Sequence, residues 1–254
     1  MNLFDLTGRS ALVTGSSRGI GFALAKGLLE AGARVVVHGR DVDAAESAAA
    51  RLREATGGET LVGTFDLTDP GAVDSGVARI EQRWGTPDIL VNNAGIQRRA
   101  PFLEFDVADW NDLVATNLTS AFLVGQRVAR GMVQRGHGKI INIGSVQSRL
   151  ARPGIAPYSA TKGGIVMLTK GMCADLGPHG IQANALAPGY FATELTKALV
   201  EDEAFTSWVT DRTPAGRWGN VEDLVGGLVY LSSSASDFVN GQVLYVDGGM
   251  TAVV

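Results

Sequence analysis

Tyr158 and Lys162 lie four residues apart, a pairing suited to moving a proton. Positions i and i+4 share one face of a helix, so the phenol and the ammonium would point the same way. A free phenol has a pKa of about 10 and is a poor base at neutral pH. A fixed positive charge beside it favours the phenolate, which can exchange a proton with an alcohol. Alone, a Tyr/Lys pair at this spacing is more often a helix surface than a site. Ser145 follows the apolar run Lys139–Ile143, and its hydroxyl could donate to a carbonyl oxygen that gains charge during hydride addition. Asn117, in Thr116-Asn117-Leu118, sits within a helical pattern where an amide has poor propensity. It would hold a water behind the lysine or satisfy a buried carbonyl.

A second group of residues suits a dinucleotide. Thr14-Gly15-Ser16-Ser17-Arg18-Gly19-Ile20-Gly21 stands between a strand pattern and a helix rich in Ala and Leu. That arrangement sets a diphosphate against the free N–H groups of a helix N-terminus. Gly15 would allow the tight turn, Gly19 the approach of backbone to phosphate, and Gly21 the packing of helix on strand. Ser17, Arg18 and Ile20 complete the expected cofactor contacts of the loop. The spacing is G-x-x-x-G-x-G rather than G-x-G-x-x-G. After Val35-Val36-Val37-His38, the place where an NAD site carries Asp or Glu for the ribose 2′-hydroxyl holds Gly39, followed by Arg40. A guanidinium pairs well with a phosphate, and a missing carboxylate removes repulsion. With Arg18 as a second cation, NADP is expected in preference to NAD. Asp66, with Leu67 after it, ends the third strand, where a carboxylate can accept from an adenine amino group. Asp69 is the better cap for the helix starting near Pro70. Asn93 and Gly95 end the fourth strand in Asn92-Asn93-Ala94-Gly95, at the edge where open sheets bind ligands.

These residues require a scaffold of alternating elements. Ser10–Thr14, Arg34–His38, Thr60–Phe65, Asp88–Val91, Lys139–Ile143, Ile181–Leu186 and Gln242–Val246 read as strands. Several are apolar on consecutive positions, the pattern of a sheet covered on both faces. Helical patterns occupy 18–32, 41–56, 69–84, 106–135, 157–178 and 221–233. The alternation predicts one doubly wound, Rossmann-type α/β domain over residues 1–254, with about seven parallel strands in the order 3-2-1-4-5-6-7 and helices on both faces. Residues 190–219 break the alternation and read as an insertion over the carboxyl edge, of the kind that often forms a lid.

Composition narrows the function. Among 254 residues, 45% are apolar and 19% charged, which excludes a disordered chain. The net charge of −4 argues against a general binder of nucleic acid or anionic membranes. Glycine, at 33 residues, is enriched without a collagen period. The single cysteine, Cys173, excludes an internal disulfide framework and is expected to be a buried, inert thiol. His38, His137 and His179 lack metal-ligand spacing, so no metal site is expected. The first residues lack a basic and apolar leader pattern, and no apolar run approaches 18 residues. A cytoplasmic protein is the expectation.

TGxxxGIG, NNAG, the mid-helix Asn117, Ser145, YxxxK at Tyr158–Lys162 and the later Pro188-Gly189 occur together over nearly the whole chain. In this the sequence resembles the short-chain dehydrogenase/reductase family. The resemblance implies that Tyr158 is the acid/base, that Lys162 binds the nicotinamide ribose and lowers the tyrosine pKa, and that Ser145 orients the substrate oxygen. It implies that Asn117 completes a proton relay, that Pro188, Gly189 and Thr193 contact the nicotinamide end, and that the protein is a homotetramer. Residues 93–101, 145–158, 187–194 and 212–219 further resemble family members acting on sugar acids. Such a substrate has one carboxylate and several hydroxyls, so its site needs a cation with many donors and acceptors. Arg98, Arg99, Gln147, Arg152 and Tyr190, with Ser145 and Tyr158, are the candidates for substrate binding, and Ser148 adds a polar group. Another sugar, a polyol or a 3-oxoacyl carrier-protein substrate would use the same chemistry. A non-catalytic nucleotide-binding regulator would be signalled by loss of Tyr158 or Lys162, and both are present.

Overall fold

The β-branched runs pair into a single parallel sheet because most are apolar on both faces and the helices between successive strands are long enough to cross back. In the computed structural model, which describes residues 3–254, the strands are β1 (Ser10–Val13), β2 (Arg34–Gly39), β3 (Thr60–Thr64), β4 (Ile89–Asn92), β5 (Gly138–Ile143), β6 (Ile181–Pro188) and β7 (Val243–Val246). Their order is β3-β2-β1-β4-β5-β6-β7, as expected, and all neighbours are parallel. In register, Leu12 stands opposite Val36 on one side and Leu90 on the other.

Helices cover both faces. On one, α1 (Gly19–Glu30), α2 (Val42–Thr56) and α9 (Val225–Ser232) bury Leu24, Leu28, Leu52 and Leu228 against Val13, Val35 and Val91. On the other, α3 (Pro70–Trp84), α5 (Ser120–Arg135) and α6 (Ala156–Leu176) bury Val77, Val128 and Met172 against Leu12, Leu90 and Ile140. Alternate strand residues thus feed opposite cores. The carboxylates of Asp41 and Asp69 cap α2 and α3 by accepting from Ala44 and Ala72 N–H, at 3.0 and 2.9 Å.

The structure departs from the sequence expectation in two places. The helix expected over 106–135 is α4 (Val107–Val114), a π-helical segment at Ala115–Thr119, and α5. The widened turn contains Asn117, and single π-turns often mark functional sites. The insertion at 190–219 carries two helices, α7 (Lys197–Val200) and α8 (Glu203–Arg212), and Phe191 bridges to Gly219 at its base. Cys173 is half-buried rather than fully buried, because it lies on a helix flank beside Gly241. No helix among the described residues is long and apolar enough to cross a membrane.

Candidate active site

The carboxyl ends of β1, β4, β5 and β6 bring the glycine loop, Asn93, Ser145 and Gly189 to one edge, because parallel strands all end there. The loop after β1 is shaped by two glycines in the left-handed region, Gly15 at φ +64° and Gly19 at φ +56°. A β-carbon on Gly21 would stand 2.3 Å from the Gly15 carbonyl oxygen and 2.5 Å from Asn93 Nδ2. Helix α1 can start this close only because position 21 has no side chain. A β-carbon on Gly19 would meet nothing within 4 Å, so that backbone faces open space at the helix N-terminus. Asn93 Nδ2 donates to the carbonyls of Thr14 and Gly15 at 2.9 and 3.1 Å. Thr14 Oγ1 accepts from the N–H groups of Asn93 and Ala94. The first and fourth strand ends are thereby stitched together.

At the end of β2, a β-carbon on Gly39 would touch Ser17 Oγ at an ordinary 3.6 Å. Arg18 and Arg40 are exposed on either side, and neither joins an ion pair among the described residues. Asp41 is committed to capping α2 and does not neutralise Arg40. Asp66 Oδ1 accepts from the Thr68 backbone N–H and hydroxyl, at 2.8 and 2.7 Å. Those bonds, with smaller help from the nearby Arg40, hold its carboxyl below the usual carboxylate range. Leu67 is buried in the core beneath. This cradle, open at Gly19 and rimmed by Arg18 and Arg40, fits a dinucleotide phosphate.

Ser145 Oγ accepts from the Gln147 N–H at 3.1 Å, which leaves its own proton to donate. Lys162 is buried, donates to the Ile143 carbonyl at 2.7 Å, and stands 5.7 Å from the centre of the Tyr158 ring. Burial brings its ammonium down to about 8. Burial raises the Tyr158 phenol, and Ser145 is the group that opposes it. The Asn117 amide grips the Ile96 backbone, accepting from its N–H at 2.7 Å and donating to its carbonyl at 3.0 Å. It also donates to Thr161 Oγ1 at 3.4 Å, so the side chain ties the β4 loop to the tyrosine helix.

Beyond Gly189, packed against the Asp247 backbone, Thr193 caps the short turn Glu194–Thr196 through its hydroxyl. A backbone bond from Ala100 N–H to the Gly154 carbonyl joins the loops carrying Arg99 and Arg152. Both guanidiniums draw the Tyr190 hydroxyl pKa down against burial, which raises it. Burial lowers the Arg99 pKa, and the like charge of Arg152 lowers it further. No carboxylate among the described residues pairs with either arginine. The Arg98–Arg99 doublet therefore splits: Arg98 turns to α4 and pairs with Asp109 at 3.2 Å and Asp112 at 3.8 Å. Gln147 Nε2 donates to Tyr190 Oη at 3.3 Å, while Gln147 Oε1 and Arg152 Nε are buried without partners. Ser148 instead bonds the Ser145 carbonyl and Tyr245 Oη.

The sequence reading placed an insertion at 190–219 over this edge but did not foresee the aromatic cluster inside it. The Tyr190 ring makes edge contacts with Phe205, Trp208 and Trp218 at 5.6, 5.6 and 5.8 Å. Arg152 lies over Phe205 at 5.3 Å. The aromatic residues at 205, 208 and 218 were the available signal, but their spacing matches no single face.

Residues 15–251 match the family described as "Enoyl-(Acyl carrier protein) reductase". The chain is 62% identical over 250 residues to gluconate 5-dehydrogenase of Gluconobacter oxydans (strain 621H), covering 98% of this chain and 97% of that protein. It is 53% identical over 253 residues to 5-keto-D-gluconate 5-reductase of Escherichia coli (strain K12), covering 100% and 99%. The crystal structure of a gluconate 5-dehydrogenase from Burkholderia cenocepacia J2315, in complex with NADP and tartrate, superposes with a TM-score of 0.97. It is 57% identical and is matched over 100% of this chain and 99% of that one.

Proposed function

Because the chain belongs to the short-chain dehydrogenase/reductase family, we propose that it is an NADP-dependent oxidoreductase interconverting D-gluconate and 5-keto-D-gluconate. The observation that carries the substrate is the pair Arg99 and Arg152 facing the Tyr190 hydroxyl with no carboxylate to neutralise them. Two guanidiniums left unpaired this way suit a ligand anion. The buried acceptor Gln147 Oε1 and buried donor Arg152 Nε also lack partners, and burying unpaired polar groups is costly. A polyhydroxy acid offers hydroxyls to the first and a carboxylate to the second. The relatives named for gluconate and its 5-keto form, and the structure holding tartrate, a hydroxy acid, support the same class.

Gly15, Ser17, Arg18, Gly19, Ile20 and Gly21 would hold the diphosphate end of NADP, Arg40 its 2′-phosphate, and Asp66 and Leu67 the adenine. Asn93, Gly95, Pro188, Gly189 and Thr193 would line the path to the nicotinamide, with Lys162 at its ribose. When bound, the cofactor would supply or accept the hydride. In ketone reduction Tyr158 donates its proton to the substrate oxygen, and the Ser145 hydroxyl donates a second hydrogen bond as charge builds there. In alcohol oxidation Tyr158 must take a proton, so it must first be the phenolate. Asn117 positions the β4 loop and α6 relative to each other.

The test is NADPH oxidation with 5-keto-D-gluconate, fructose, sorbose and an acetoacetyl thioester in parallel. The keto acid should be turned over with the highest kcat/KM. Preference for the thioester would overturn the sugar-acid reading.

A further inference from the structure

We propose that His38 is a positioning residue that sets the phosphate loop in register with the adenosine end of the dinucleotide site. The inference rests on the NADP reading above. His38 is buried one residue before the end of β2, within a strand otherwise lined by valines. Its ring Nδ1 accepts from the Gly15 N–H at 3.2 Å. Nδ1 therefore carries no proton, and Nε2–H donates to the Phe65 carbonyl at 3.0 Å. The backbone repeats the link, because Ser16 N–H donates to the His38 carbonyl and His38 N–H donates to Ser16 Oγ, both at 2.9 Å. The Phe65 ring packs edgewise on the imidazole at 4.5 Å.

One side chain thus spans three segments. Gly15 leads into the open backbone at Gly19, Gly39 and Arg40 follow His38 directly, and Phe65 precedes Asp66. No other described side chain hydrogen-bonds both the glycine loop and the end of β3. Desolvation brings the imidazole down to about 4, so at neutral pH it stays in the single-proton form that both bonds require. A ligand touching only the adenosine end does not depend on this spacing, whereas one spanning to the diphosphate does.

The variants separate the two ring bonds. Asn places an oxygen where Nδ1 stands and can still accept from Gly15, Gln reaches only towards Phe65, and Leu keeps the bulk with neither bond. Dissociation constants are measured by NADPH fluorescence titration and, for adenosine 2′-phosphate, which has no 5′-phosphate to reach the glycine loop, by competition. His38→Leu and His38→Gln should each weaken NADPH at least tenfold while adenosine 2′-phosphate changes less than threefold. His38→Asn keeps the Gly15 bond but loses the one to Phe65, and should weaken NADPH less than His38→Gln does. Equal losses for NADPH and adenosine 2′-phosphate, or NADPH binding to His38→Gln as tightly as to His38→Asn, would overturn the proposal. The Asn/Gln comparison decides even if the Leu variant does not fold. A parent protein that binds NADH and not NADPH would overturn the NADP reading alone, and the same comparison with NADH against adenosine then decides on His38.

Discussion

The Lys162 ammonium faces the Tyr158 ring at 5.7 Å while its hydrogen bond goes, at 2.7 Å, to the Ile143 carbonyl on β5. The two residues thus share a helix face as i and i+4, yet the lysine is anchored to the sheet. Tyr158→Phe keeps the ring and this packing and removes the proton. Turnover should fall by about 10²–10⁴-fold with NADPH affinity within threefold of the parent. Stopped-flow single turnover and fluorescence titration check the two halves. Because burial raises the phenol, gluconate oxidation by the parent should also accelerate as pH rises above neutrality.

A β-carbon on Gly39 would meet only ordinary contacts at 3.6 Å, so an acidic side chain there tests coenzyme choice by chemistry and not by space. Gly39→Asp should fit, repel the 2′-phosphate and accept from a ribose hydroxyl. The ratio of kcat/KM for NADPH over NADH should drop by roughly tenfold or more. Arg40→Ala should lower the same ratio by weakening NADPH alone.

Arg152 and Arg98 should behave differently although both were sequence candidates for the substrate. Removing a charged hydrogen-bond donor costs about 1.5–3 kcal/mol, so Arg152→Ala should raise KM for 5-keto-D-gluconate roughly 10–100-fold. Arg98→Ala, which loses only its partly exposed pairs with Asp109 and Asp112, should leave KM within twofold. Steady-state kinetics at saturating NADPH decide.

His38 makes stability fall in acid. The unfolded chain takes up a proton at the ordinary 6.5 and the folded protein only near 4, so the unfolded state binds more protons between those values. The contribution is complete above pH 6.5 and is lost as pH falls towards 4, amounting to about 3 kcal/mol. Urea unfolding at pH 7.5 and 4.5 should show this extra loss in the parent but not in His38→Asn.

Gly21→Ala should destabilise the protein by about 1–3 kcal/mol, the usual cost of overpacking, because its new methyl would meet the Gly15 carbonyl and Asn93 amide. Thermal unfolding checks it, with Gly163→Ala as the control on open helix surface.

The doubly wound sheet was legible because consecutive apolar residues, glycine turns and amphipathic stretches are local signals repeated along the chain. The sequence also determined the chemistry on offer: a phenol and an ammonium one turn apart, a hydroxyl after β5, and Gly39-Arg40 where an acid would stand. Partners far apart in the chain were decided only by the tertiary structure. Ala100 bonding to Gly154 sets Arg99 beside Arg152, while the acidic face of α4 draws Arg98 away from its neighbour in sequence. The anchoring of Lys162 by Ile143 and the double bond of His38 to Gly15 and Phe65 arise the same way. Periodicity reports which face of an element is buried. It cannot report which buried group a side chain meets, because hydrogen-bond geometry and desolvation act through space once the strands have come together.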